Sequence, residues 1–89
     1  MERVIFCKEE GGIIAVFPFF KWDKVGNLTC YAHVGQHGPI SRSYFQGLEI
    51  VENPKDYLQL QNELLSLGYK LKVLNGKPNT ILRNVLKTK

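Results

Sequence analysis

Eighty-nine residues give room for one domain, and the 44% apolar and 22% charged content is that of an ordinary globular chain, which excludes a disordered polar segment. The longest apolar stretch, residues 13–20, is too short to cross a bilayer and contains Pro18, and the opening Met-Glu-Arg-Val-Ile-Phe lacks the pattern of an export signal. The expectation is therefore a cytoplasmic protein with no membrane partner, in which Cys7 and Cys30 are free thiols.

The first predicted element is a strand over residues 3–8, built on Val4, Ile5 and Phe6. Glu9-Glu10-Gly11-Gly12 ends it, and the glycines supply the positive φ of a tight turn. Residues 13–17 follow as a second strand, so the two form a β-hairpin. Pro18 weakens the far end of that strand because it has no N–H for the ladder. Phe19, Phe20 and Trp22 come next among Lys21, Asp23 and Lys24, and the usual fate of such aromatics is to cover the edge of a small core. Gly26-Asn27 marks a second turn.

Residues 28–34 alternate as a third strand. Leu28, Cys30, Ala32 and Val34 are expected on the core face, and Thr29, Tyr31 and His33 on the other. Gly35-Gln36-His37-Gly38-Pro39 reads as a break, and residues 40–50 fit either a helical turn with a short strand or a packed loop. The plainest signal is a helix over residues 54–67. Asn53 is its N-cap, Pro54 its first residue, Asp56 lies in the first turn, and Gly68 is placed to end it. Tyr57, Leu60, Leu64 and Leu67 form its apolar stripe, widened by Leu58 and Leu65. Tyr69, Leu71 and Val73 alternate with Lys70 and Lys72 as a final strand. Asn79-Thr80 would cap a short C-terminal helix with Ile81, Leu82, Val85 and Leu86 on one face.

This order predicts an α+β fold: a two-layer, antiparallel β-β-β-α-β sheet with the helix on one face. The predicted division is a domain over residues 1–76 and a basic extension over 77–89. The second sheet face, bearing Tyr31 and His33, is left for water or a partner.

The candidate chemistry is sparse. Cys30, His33 and His37, with Cys7 as a fourth donor, have a spacing like that of a zinc site, but the alternation puts Cys30 and His33 on opposite faces, so no metal is expected. The same geometry separates Cys30 from His33 as a nucleophile and its base. No phosphate-loop motif and no paired carboxylates at a regular spacing are present, so no cofactor is expected. The binding reading takes Tyr31, His33, Gln36 and His37, with Arg42 and Trp22 nearby, as a polar-aromatic recognition surface. Its partner would be another protein or a second copy of the chain. The alternative for this segment is structural, with Gln36 and His37 bonding backbone groups.

Charge suggests a second function. Residues 1–69 carry a balance of −2, and residues 70–89 carry +6 with no acidic side chain. Lys70, Lys72, Lys77, Arg83 and Lys87 could face nucleic acid, or could merely solubilise the chain end. A small enzyme or metal site centred on His33 and His37 is the third reading.

The Val4-Ile5-Phe6 strand, Ala15-Val16-Phe17-Pro18, the segment from Thr29 through His33-Val34-Gly35-Gln36-His37, and the Tyr57, Leu60, Glu63-Leu64, Gly68-Tyr69 series together resemble a family of short bacterial proteins, also carried on mobile elements, that have no established activity. The resemblance spans residues 3–74. It implies a shared architecture and leaves function open.

Overall fold

The structure is a computed structural model and describes residues 1–32 and 37–87. Among the described residues, six strands form a mostly antiparallel sheet with three helices divided between its two faces, an α+β domain as expected. Strands β1 (Glu2–Glu9) and β2 (Gly12–Lys21) make the hairpin, with Glu9 opposite Gly12 and Gly11 at φ 94°, where a side chain would be strained. Strand β3 (Leu28–Tyr31) adds to β2, and β4 (His37–Ile40) adds to β3, both antiparallel.

The other edge of β1 is shared by two short strands. Strand β5 (Glu49–Ile50) pairs antiparallel with its C-terminal half, and β6 (Leu71–Val73) pairs parallel with its N-terminal half. The final strand therefore does close the sheet, but parallel to β1, because the helix α2 (Pro54–Ser66) carries the chain back over the sheet as a crossover. The helix starts as its sequence dictates: the Asn53 side chain accepts from the Lys55 N–H at 3.1 Å, and Pro54 opens the first turn. Gly68, at φ 100°, sits just past its end.

Two apolar layers sandwich the sheet. On one face Val4, Phe6, Ala15, Phe17 and Tyr31 meet Tyr57, Leu60 and Leu64 of α2, with the Phe6 and Tyr57 rings stacked at 4.1 Å. On the other face Ile5, Cys7, Ile14, Val16, Leu28 and Ile40 are covered by Phe45 of α1 (Arg42–Gln46) and by Ile81 and Leu82 of α3 (Pro78–Lys87).

This arrangement corrects the two-layer expectation in three respects. The second sheet face is not open, because α1 and α3 cover it. The helix α2 lies on the Tyr31 face, not on the face of Leu28 and Cys30, and Tyr31 is 1% exposed. The C-terminal helix belongs to the core through Ile81, Leu82 and Val85. Its burial also answers the marginal stability of a ten-residue helix in water. Two smaller differences concern leucines and a missed strand. Leu58, Leu65 and Leu67 are about half exposed and take no part in the buried stripe, and His37 lies on β4 where a break was expected.

Candidate functional site

The far half of β2 shapes the site. Phe17 is opposite Thr29, yet Lys21 is opposite Leu28, so β2 advances four residues while β3 advances one. This bulge contains Pro18, which has no N–H to give to β3. The irregularity distributes the aromatics to both sides of the sheet. Phe19 turns to the α3 side, where the Arg3 guanidinium lies 3.4 Å from its ring centroid. Phe20 and Trp22, 52% and 45% exposed, stand on the α2 side and have not been absorbed by the core. The next turn is held by Asp23, whose carboxylate accepts from the Val25 and Asn27 amides and from the Asn27 side chain. The Asn27 side-chain bond, with help from the backbone donors, holds the Asp23 carboxyl below the usual range.

Phe20, Lys21 and Trp22 wall a cavity of about 390 Å³ whose other sides are Phe17, Thr29, His37 and Tyr69. Tyr69 reaches it because Gly68 turns the chain sharply after α2. The Tyr69 ring stacks on Phe17 at 5.3 Å, and its hydroxyl is hydrogen-bonded to His37 Nε2 at 2.8 Å. The imidazole in turn rests edge-on against Tyr31 at 4.8 Å. His37 and Tyr69 also border a second cavity of about 350 Å³ with Leu67 and Gly68. The two cavities therefore adjoin at this pair and make one groove lined mainly by aromatic groups.

One polar atom in the lining is unmatched. Thr29 is 6% exposed, and its Oγ1 is buried without a hydrogen-bond partner. A hydroxyl in that state costs stability, on the order of 1–3 kcal/mol.

Of the six residues expected to form the recognition surface, Trp22 and His37 line this groove. Tyr31 supports His37 from beneath and, at 1% exposure, is too buried to form part of an exposed recognition surface. Arg42 is structural: its Nε donates to the Gly26 carbonyl at 3.2 Å and ties α1 to the Asp23 turn. His33 and Gln36 lie outside the described residues. Phe17, Phe20, Lys21, Thr29 and Tyr69 were not anticipated. The signal that could have found them is Pro18 inside an aromatic strand, which forces a bulge and so an exposed cluster.

The basic residues do not gather at one cavity. Lys70 lines a shallow depression with Met1, Glu2, Gly68 and Tyr69, whereas Lys72 lines a cavity with Arg3. Lys77 precedes α3 and accepts the Ile81 N–H through its carbonyl, Arg83 is exposed on α3, and Lys87 is the last residue of that helix.

Among the described residues no three His, Cys, Asp or Glu side chains converge on a point where a metal could sit, and no helix is long and apolar enough to cross a membrane. Cys7 is fully buried on the α3 side, and desolvation, reinforced by Glu9, pushes its thiol up to about 12. Burial also raises the Cys30 thiol, which is half-buried on the same face. Both stay protonated near neutral pH, which makes them poor nucleophiles. No family model, curated protein or solved structure matches the chain.

Proposed function

We propose that this chain is a small cytoplasmic binding protein that acts by protein–protein contact, with the groove between Trp22 and Leu67 as its recognition surface. The observation that carries the reading is the juxtaposition of two half-exposed aromatics, Phe20 and Trp22, on a cavity whose other walls include Phe17, His37 and Tyr69. Aromatic side chains around a cavity supply large contact area at low entropic cost, and they dominate the energetics of protein interfaces. The cavity suits one bulky apolar side chain of a partner. The adjoining cavity at Leu67 and Gly68 would take a neighbouring residue of the same segment.

Selection of peptides from a random displayed library on the immobilised chain tests this. The expected winners share a bulky apolar or aromatic residue and bind at least tenfold more weakly to Phe20→Ala and Trp22→Ala variants. Both side chains are half exposed, so the fold should survive their removal. Winners that bind the variants as well as the parent would place recognition elsewhere. Light scattering at micromolar concentration separates self-association from a foreign partner: a dimer that dissociates in the Trp22→Ala variant would make a second copy the occupant.

A further inference from the structure

On the opposite side of the sheet from that groove a separate cavity, also of about 350 Å³, lies between β6 and α3. In the parallel pairing of β1 with β6, Arg3 is directly beside Lys72. Side chains at paired positions project from the same face of a sheet, so two cations are held side by side, an arrangement that is unfavourable unless something negative lies between them. No aspartate or glutamate lines this cavity among the described residues. The remaining polar lining is two neutral amides, Asn75 after β6 and Asn84 on α3, and both can donate N–H groups.

The placement of Arg3 makes this more than a loose basic patch. Its guanidinium is stacked on Phe19 at 3.4 Å. Stacking uses the flat face of the group and leaves the in-plane N–H fork available, which is the geometry that receives a phosphate in bidentate fashion. The cavity is also several times larger than a phosphate, and the rest of its wall is apolar, contributed by Phe19, Leu74 and Ile81. A ligand that satisfies the whole lining therefore has an anionic end and a flat or apolar body.

We infer that this cavity binds a phosphomonoester on a nucleoside-sized body, with the phosphate held by Arg3 and Lys72, the amides of Asn75 and Asn84 on its oxygens or on the sugar, and the body against Leu74, Ile81 and the Phe19 ring. This site is on the other side of the sheet from the aromatic groove and stands independently of it. The same chemistry could come from a free nucleotide or from the 5′-phosphorylated end of a nucleic acid.

Calorimetric titration of the full chain tests the inference with four probes: adenosine 5′-monophosphate, adenosine, and pentathymidylate with and without a 5′-phosphate. The expected result is binding of the phosphorylated probes, little or none of their unphosphorylated counterparts, and weakening as salt is raised. Arg3→Gln and Lys72→Gln should each reduce affinity by roughly tenfold or more, the usual loss for one charge-assisted contact. Lys55→Gln, on α2 across the sheet from this cavity, should leave it unchanged. All three positions are exposed, so folding, checked by circular dichroism, should be preserved. Tighter binding of the mononucleotide identifies a free nucleotide as the source, and tighter binding of the phosphorylated oligonucleotide identifies a strand end. Failure of both phosphorylated probes at millimolar concentration, or equal binding by the Arg3 and Lys72 variants, would overturn the inference.

Discussion

Replacing Leu82 with alanine probes the feature that most changes the picture of this molecule, the docking of α3 on the second sheet face. Leu82 is 5% exposed and packs in the same layer as Ile5, Val16, Leu28 and Phe45. Truncating a buried leucine removes its transfer free energy and leaves a partly collapsed cavity, for about 2–5 kcal/mol in total. A domain of this length has a total stability of about 4–13 kcal/mol. The substitution should therefore remove a large fraction of it. Alanine is itself a strong helix former, so the loss would come from packing and not from helix propensity. Urea unfolding followed by far-ultraviolet circular dichroism measures the effect, with Arg83→Ala, on the exposed side of the same helix, as the control. The expected outcome is a fall in the midpoint at constant slope, a drop in Tm of roughly 8 °C or more, and a change within about 0.5 kcal/mol for the control. Equal midpoints for the two variants would show that α3 is not part of the core, and would remove the wall of the cavity at Arg3 and Lys72 as well.

Thr29→Val should leave stability unchanged or raise it by about 1 kcal/mol, since it removes an unmatched buried hydroxyl; thermal melts check the effect. Asn53→Ala should cost about 1 kcal/mol in urea unfolding through loss of the α2 cap. The Cys7 thiol, held at about 12 when folded against an ordinary value of 9.0, stays protonated in the native chain while the unfolded chain ionises. Its contribution is therefore fully present below pH 9 and declines between pH 9 and about 12, at about 1.4 kcal/mol per pH unit, and the decline should be shallower in a Cys7→Ala variant when unfolding is followed across that range.

How much of this was legible in the sequence varies by element, for physical reasons. The α2 helix was readable because its cap, its first-turn proline and its terminal glycine are local signals. The coverage of the second sheet face was also written in the chain, but in a pattern that alternation does not capture. Val4-Ile5-Phe6-Cys7 and Ile14-Ala15-Val16-Phe17 are continuous apolar runs, and a strand apolar at every position must be buried on both faces. The apolar face of α3 was visible too, and its natural place was that uncovered layer. The parallel registration of Arg3 with Lys72 was out of reach, since it depends on where a three-residue strand meets one almost seventy residues earlier. Strand β4 was hidden because Gly38 and Pro39 read as a break, although a proline is tolerated on an edge strand such as this one. The aromatic groove was half legible: Trp22 and His37 were singled out, whereas Tyr69 and Thr29 join them only through the bulge at Pro18 and the turn at Gly68.

Trp22 is the sole tryptophan of the chain and stands in the wall of the groove, so its emission reports directly on what enters there. Titration of a selected peptide into the full chain should shift that emission to shorter wavelength and saturate at the affinity measured independently by calorimetry, with the shift abolished in a Phe20→Ala variant. A peptide that binds with the same affinity while the Trp22 emission stays constant would contradict the assignment of the groove as the recognition surface.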